Sequence, residues 1–356
     1  MEKNRILKGN CLEILKTLPS ESVDLIFADP PYFMQTEGAL LRTNGEKFSG
    51  VEDAWDKFNS FEDYDQFCFN WLKECRRILK NNGSIWVIGS FQNIFRIGYF
   101  MQNLGFWILN DVIWHKNNPV PNFKGTRFCN AHETLIWCAK NKNAKYTFNY
   151  KTMKFLNENK QEKSVWHIGI CIGNERLKNH QGQKIHSTQK PEKLLEKVIV
   201  SSTKQNDLIL DPFFGTGTTG AVAKKLGRHF LGIEQNEEYI QAAEKRIANI
   251  QKDEFFLKSI ENLETKPPRV SILELKNKGF LKENQSFFNS KKEIMGILKN
   301  DKIDDGKNIL SIHKMAAKCL NKTNHNGWDY FYIFQNHNFV SLNQLRYDYF
   351  QTKQCD

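Results

Sequence analysis

The sequence lacks a membrane span: none of its stretches approaches the ~18–20 uninterrupted apolar residues that one requires. It also lacks a recognisable leader, because Met1-Glu2-Lys3-Asn4-Arg5 runs straight into foldable sequence, so a cytoplasmic protein with no membrane partner is expected. The eight cysteines, Cys11, Cys68, Cys75, Cys129, Cys138, Cys171, Cys319 and Cys355, contain no C-x-x-C pair and no histidines at zinc-finger spacing. That excludes a disulfide framework and a zinc-finger-type metal site and leaves reduced, mostly packing thiols. The bias of disorder, collagen or coiled coils is missing too, since 40% of the 356 residues are hydrophobic, 26% charged and 13% aromatic. At roughly 100–200 residues per domain, one large domain and a smaller one are expected.

Aspartate is absent from 112–206, which holds 17 Lys/Arg against six Glu, so the chain's entire excess of +11 lies there while the flanking stretches nearly cancel. A block that positive, interleaved with Trp, Phe, His, Asn and Gln, suits a polyanion bound through its phosphates, with aromatics available for unstacked bases. A merely Lys-rich surface would spread the excess evenly.

Strand and helix patterns alternate along the first 250 residues. Leu12, Ile14, Leu15 and Leu18 predict a short helix, and Val23–Ala28 a buried strand stopped by prolines. Residues 33–58 form a long connection of the kind used for lids and binding loops. Ser60 caps a helix whose apolar positions keep their period from Tyr64 to Leu79 and which ends at Asn81-Asn82-Gly83. Strands follow at 85–89, 106–115 and 133–139 with a helix at 91–104; 140–186 reads as an irregular basic insert, and Pro191 opens another helix. Then come a strand at 208–210, a helix to Leu226, a strand at 230–233 and a helix from about 237 to 252. The pattern predicts an α/β, doubly wound, mostly parallel sheet covered on both faces. After Lys266-Pro267-Pro268, helices around 291–299 and 311–320 and an aromatic strand region at 328–334 mark a second domain.

Asp211-Pro212-Phe213-Phe214-Gly215-Thr216-Gly217-Thr218-Thr219-Gly220 is a Gly-rich strand-to-helix turn, with Glu234 at the end of the next strand. Backbone without side chains approaches a cofactor closely, and the carboxylate suits ribose hydroxyls. A nicotinamide-dependent oxidoreductase competes on this motif alone. Asp211 ahead of the glycines argues against a pyrophosphate, which it would repel, and for a cofactor with an ammonium group such as S-adenosylmethionine. The sharper signal is Asp29-Pro30-Pro31-Tyr32. Prolines lack amide hydrogens and have a fixed φ, so their carbonyls stay free and rigidly aimed. The Asp29 carboxylate and Pro30 carbonyl can hold the two hydrogens of a delocalised amino group and raise electron density on its nitrogen, while Tyr32 stacks on the ring.

Together the two motifs resemble the β class of amino-methylating DNA methyltransferases, in which D-P-P-Y precedes the recognition region and the cofactor motif comes late. The resemblance covers about residues 4–250. It is closer still to the cell-cycle-regulated adenine methyltransferases that modify GANTC, and their restriction-system relatives, at Ala54-Trp55-Asp56-Lys57-Phe58, at 117–125 and at Asn130-Ala131-His132-Glu133-Thr134-Leu135-Ile136-Trp137. It implies a Rossmann-like S-adenosyl-L-methionine-dependent catalytic domain over 1–266 with a recognition insert at about 112–186, and a small C-terminal DNA-binding domain over 269–356. Asp29, Pro30, Pro31 and Tyr32 fall to target adenine and catalysis. Asp211, Phe213, Gly215 and Gly217 fall to the methionine end of the cofactor, and Glu234 to its ribose. Ser187, Thr188, Gln189 and Lys190, in His186-Ser187-Thr188-Gln189-Lys190-Pro191, resemble a further cofactor motif. Asn10 stands where the family commonly has Asp, and its amide oxygen is suited to the cofactor's adenine amino group.

Base reading is expected between residues 122 and 132, from Asn122, Lys124, Arg127, Asn130 and His132, since Arg and Lys reach guanine acceptors and Asn reaches adenine edges. Trp55 and Phe48, in the long connection, are candidates for contact with opened DNA, whereas Trp71, Trp86 and Trp137 sit on periodic apolar faces and belong to the core. His115, His132, His167, His180 and His186 share no metal spacing and read as polar surface or hydrogen-bonding residues. The expected partners are double-stranded DNA, a second copy of the chain and a cognate restriction endonuclease. The expected reaction is methyl transfer to an everted adenine. Methylation of the cytosine amino group is the nearest alternative, although those members usually have Ser before Pro-Pro-Tyr.

Overall fold

The computed structural model describes residues 2–34, 40–41, 47–48, 56–122, 125–261, 263–264, 268–335 and 338–355. The chain divides into two compact units, Met1–Glu264 and Thr265–Asp356.

In the first unit, besides a short antiparallel pair Leu40–Leu41 and Lys47–Phe48, the main-sheet strands are β1 Arg5–Lys8, β2 Val23–Ala28, β3 Leu79–Gly89, β4 Trp107–Lys116, β5 His132–Ala139, β6 Val165–Ile168, β7 Leu208–Asp211 and β8 His229–Glu234. The helices are α1 Cys11–Thr17, α2 Phe61–Ile78, α3 Ile94–Asn103, α4 Tyr150–Leu156, α5 Glu192–Ser202, α6 Thr218–Lys225, α7 Glu237–Ala248 and α8 Glu254–Ile260. The main-sheet strands run in the order β1-β8-β7-β2-β3-β5-β4-β6. Only β5 runs against its neighbours, β3 and β4; the other pairings are parallel. Among the described residues no helix is long and apolar enough to cross a membrane.

Both faces of the sheet are buried, which is why its central strands read as continuous apolar runs. Along β2, Leu25 and Phe27 pack with Leu195, Val198 and Val222 of α5 and α6 on one face. Ile26 and Ala28 pack with Leu15 of α1 and Trp71 and Leu72 of α2 on the other. Helix α2 forms where its pattern demands: the Ser60 hydroxyl accepts from the Asp63 N–H at 3.1 Å, and Tyr64, Cys68, Trp71, Leu72, Cys75 and Ile78 make its buried stripe. Trp86 and Trp137 stack on adjacent strands at 5.0 Å between ring centres, inside the core.

Four local expectations fail, one of them in the aromatic strand region expected at 328–334, where Gly327–Tyr330 is a helix and the strand is confined to Tyr332–Gln335. Asn81-Asn82-Gly83 does not follow the helix as a turn but lies inside β3, whose pairing with β2 slips from Val23↔Leu79 to Leu25↔Ser84 and absorbs the polar residues as a bulge. The insert at 140–186 contains α4 and β6 as well as loops. Residues 294–299, expected as helix, form a strand because ladders on both sides override their propensity.

That strand belongs to the second unit, whose strands are β9 Ser286–Phe288, β10 Ile294–Lys299, β11 Lys302–Asp304, β12 Ile309–Leu310, β13 Tyr332–Gln335 and β14 Asn338–Ser341. They form an antiparallel sheet in the order β12-β11-β10-β9-β13-β14, with a core of its own that includes Leu275, Phe287, Leu298, Met315 and Phe331.

Candidate active site

Strands β7 and β2 are neighbours, with Leu25 opposite Ile209 and Ile26 opposite Leu210, yet their connections leave in opposite directions. From β7 the chain passes through α6 to β8; from β2 it passes through α2 to β3 on the other side. Strand order therefore reverses between them, and a crevice opens beyond their carboxyl ends. Asp211 and Asp29 stand at those two ends and line one cavity of about 600 Å³.

On the β7 side the backbone turns through two left-handed glycines, Gly215 at φ +52° and Gly217 at φ +74°. A Cβ on Gly217 would stand 2.7 Å from the Cβ of Ala243, so the position excludes a side chain on steric grounds as well as conformational ones. The Asp211 carboxylate accepts from the Phe213 N–H at 2.9 Å and from the Thr219 hydroxyl at 2.6 Å. Burial pushes its carboxyl up to about 7, against the pull of those two donors. Glu234 accepts from the Gly215 N–H at 2.8 Å and from the N–H groups of Gln235 and Asn236 at 2.9 Å each, which ties the end of β8 to the glycine turn. A cavity lined by glycine backbone, the buried Asp211 carboxylate and the Glu234 carboxylate fits S-adenosylmethionine, with its ammonium, sulfonium and ribose.

On the β2 side, Asp29 is held by two donors, with Lys190 Nζ 2.7 Å from Oδ2 and the Tyr32 hydroxyl 3.0 Å from Oδ1. The same hydroxyl lies 3.1 Å from Glu133 Oε2, and Lys116 Nζ donates to Glu133 Oε1 at 2.7 Å. Burial raises the Asp29 carboxyl above its ordinary range, with Lys190 opposing. Burial acts on Glu133 in the same sense, but Lys190 and Lys116 outweigh it and hold that carboxyl below the ordinary range. Tyr32 is pushed well above the usual phenol, by burial and then by the two carboxylates, so it stays a neutral donor.

Several expected site residues line this cavity. Pro30, Pro31 and Phe213 line the cavity, Phe213 edge-on to Trp71 at 5.3 Å. Asn10 lines it as well, and its oxygen accepts from the Leu12 N–H at 2.8 Å as the cap of α1. Thr188 lines it while donating its N–H to His186 Nδ1 at 3.1 Å. Gln189 spends its amide on the backbone of Glu175 and Leu177. Ser187 is not among the lining residues. Lys190 pairs with Asp29 on the catalytic side of the cavity.

The recognition stretch leaves the same edge of the sheet. Gly89, at the carboxyl end of β3, pairs with Thr134 at the start of β5, so the loop between β4 and β5 emerges beside the Asp29 turn. Arg127 and Asn130 are exposed on it, Arg127 lies 5.6 Å over the Phe91 ring, and Asn122 donates to the Arg127 carbonyl at 3.0 Å. His132 is exposed opposite His115. Trp55 and Lys124 lie outside the described residues.

Three residues of the site escaped the sequence reading. Glu133 and Lys116 are polar residues at strand ends, unremarkable until β4 and β5 bring them to Tyr32. Asp56, 6% exposed, accepts the N–H groups of Tyr32, Phe33 and Met34 at 2.6–2.8 Å and holds the catalytic turn in a conformation with Phe33 at φ +50°; its only signal was its place in Ala54–Phe58. His186, which opens the motif His186–Pro191 and was expected as a polar surface or hydrogen-bonding residue, accepts from the Thr188 N–H and lines the cavity against Tyr239 at 4.8 Å, and burial with Lys190 and Arg176 lowers it to about 4. Cys129 and Cys319 are exposed and do not pack. Among the described residues, no three His, Cys, Asp or Glu side chains stand where they could hold a metal ion.

Residues 23–245 match the DNA methylase family of N6 and N4 methyltransferases. The chain is 63% identical over 347 residues to the Type II methyltransferase M.HinfI of Haemophilus influenzae, spanning 97% of this chain and 96% of that one. It is 43% identical over 248 residues to the Type II methyltransferase M2.LlaDCHI of Lactococcus lactis subsp. cremoris, 69% of this chain and 90% of the other. Among solved structures, an M1.HpyAVI–SAM complex superposes with a TM-score of 0.51 at 30% identity, over 69% of this chain and 99% of that one. The cytosine-N4-specific PvuII DNA methyltransferase shares the fold, with a TM-score of 0.54 at 22% identity over 74% and 93%. Kinship along nearly the whole chain agrees with a cavity shared by the Gly-rich turn after Asp211 and the Asp29–Tyr32 turn: the chain belongs to the DNA methylase family and is an S-adenosylmethionine-dependent DNA methyltransferase.

Proposed function

We propose that the protein methylates the exocyclic amine of adenine in duplex DNA, within GANTC, after everting the base into the cavity at Asp29–Tyr32. The observation that carries this reading is the carboxylate of Asp29, which opens onto the cavity it shares with Asp211 and Glu234. S-adenosylmethionine, when bound, supplies an electrophilic methyl group on a sulfonium that is already a good leaving group. Asp211 would hold its ammonium, Glu234 its ribose, and the turn at Gly215 and Gly217 lets the backbone close on it.

The protein's part is alignment. Asp29 and the Pro30 carbonyl take the two amino hydrogens, which keeps the nitrogen lone pair directed at the methyl group, and the Tyr32 ring supports the base. As the nitrogen gains its methyl it gives up one proton, for which Asp29, raised by burial, is the nearest carboxylate acceptor. No covalent enzyme intermediate is needed. The loop carrying Asn122, Lys124, Arg127, Asn130 and His132 reads the flanking bases, Trp55 meets the opened duplex, and the second unit adds DNA contacts. A second copy of the chain, a cognate endonuclease and a cytoplasmic place of action complete the proposal.

The family also contains enzymes that methylate cytosine N4, and the same acceptors would serve that amine. Asp rather than Ser before Pro-Pro-Tyr favours adenine. Digesting DNA treated with the pure protein and separating the nucleosides by mass spectrometry decides the base, and sequencing the methylated positions decides the site. N6-methyladenine confined to GANTC is expected; N4-methylcytosine, or adenine methylation in another sequence, overturns the assignment.

A further inference from the structure

Tyr32 has one hydroxyl hydrogen and two carboxylates within reach of it. Its oxygen lies 3.0 Å from Asp29 Oδ1 and 3.1 Å from Glu133 Oε2, and a phenol donates only once, so one of the two is served at a time. Asp29 has little to spare. Its Oδ2 is taken by Lys190 at 2.7 Å, which leaves Oδ1 for an incoming amino hydrogen, and a hydroxyl donating to Oδ1 draws off the charge that the amino group needs. Glu133 is built as the alternative acceptor: Lys116 holds Oε1 at 2.7 Å and so turns Oε2 toward Tyr32, with Lys190 3.8 Å away. All four charged side chains are at least four-fifths buried, and the two lysines balance the two carboxylates. Turning the hydroxyl from one acceptor to the other therefore changes no net charge, and it breaks no covalent bond. The cluster is also anchored to recognition, because Lys116 ends β4 and Glu133 is the second residue of β5, so their ion pair closes the base of the loop that bears Asn122, Arg127 and Asn130.

We infer that Glu133 is a positioning residue that draws the Tyr32 hydroxyl away from Asp29 as the target base enters, leaving Oδ1 free to accept an amino hydrogen. The inference rests on the reading of Asp29 as the acceptor of an exocyclic amine, and it holds for adenine or cytosine alike.

The test is single-turnover methyl transfer at saturating S-adenosylmethionine and DNA, in a double-mutant cycle of E133Q with Y32F. In E133Q, Lys116 claims the amide oxygen, so the amide N–H₂ faces Tyr32 and the hydroxyl is driven onto Asp29. The rate is expected to fall about tenfold or more, with cofactor and DNA affinity changed less than about twofold. Y32F, which keeps the ring and has no hydroxyl to release, is expected to retain a measurable rate, and adding E133Q to it is expected to cost less than about twofold. Equal losses in both backgrounds, an E133Q rate within twofold of wild type, or a dead Y32F protein would each overturn the inference. If E133Q does not bind cofactor, K116M/E133L, which removes both charges of the pair, takes its place in the same cycle under the same criteria. D29A run alongside separates the two levels: full activity there sinks the reading of Asp29, whereas an inactive D29A with equal losses in the cycle sinks the role of Glu133 alone.

Discussion

With the cofactor's ammonium against Asp211, as proposed, the pH dependence of its binding follows from the burial of that carboxylate. In the free protein its carboxyl sits at about 7, so half of the molecules carry a neutral Asp211 near neutrality. An ammonium group placed against it binds the ionised form, and the proton must leave first. Affinity is therefore fullest above pH 7 and is lost as pH falls: about 11-fold weaker at pH 6 and about 100-fold at pH 5, a slope approaching one decade per unit. Above about pH 8 the ligand's own α-amino group deprotonates and affinity declines again. His186, lowered to about 4, does not titrate in the acid window. Isothermal titration of S-adenosylmethionine between pH 5.5 and 8.5 reads the profile directly. Asp211→Asn is expected to bind about 10- to 100-fold more weakly at pH 7.5, from the loss of one charge-assisted contact, and to show no acid slope. A flat profile in the wild-type protein, or an unchanged slope in Asp211→Asn, would refute the reasoning.

Gly217→Ala forces a side chain into a left-handed backbone and against Ala243, and is expected to lower unfolding free energy by about 1–3 kcal/mol, read by urea or thermal denaturation. Asp56→Ala strips the acceptor from three consecutive N–H groups at the catalytic turn; single-turnover rate is expected to drop about tenfold or more while cofactor affinity holds within about threefold, and equal losses in both would point to general unfolding. DNA affinity is expected to fall steeply with salt, by close to one power of the salt concentration for each phosphate contacted; a shallow slope, or one unaltered by neutralising lysines of 112–206, would count against phosphate binding there.

The fold and the two motif turns were legible because their signals are local. A buried parallel strand writes an apolar run, as in Val23–Ala28, where only Asp24 interrupts it, and the Gly-rich turn keeps Gly215, Gly217 and Gly220 within six residues. The buried positions of Trp71, Trp86 and Trp137 were legible for the same reason. What stayed hidden depends on contacts between residues distant in sequence. Glu133 lies 101 residues from Tyr32, and Lys190 lies 161 from Asp29, so no window of sequence reveals that the motif lysine pairs with the catalytic aspartate. The bulge at Asn81–Gly83 and the strand at 294–299 were misread where partner strands overrode local preference.

The central claim is that the ends of β2 and β7 divide the labour, one gripping the target amine and the other the methyl donor. Asp29→Ala, measured by calorimetry for S-adenosylmethionine and by single-turnover methyl transfer to duplex DNA, tests it most directly. Cofactor affinity is expected within about threefold of wild type, with methyl transfer reduced by about three orders of magnitude or more. Near-normal transfer in that variant would contradict it.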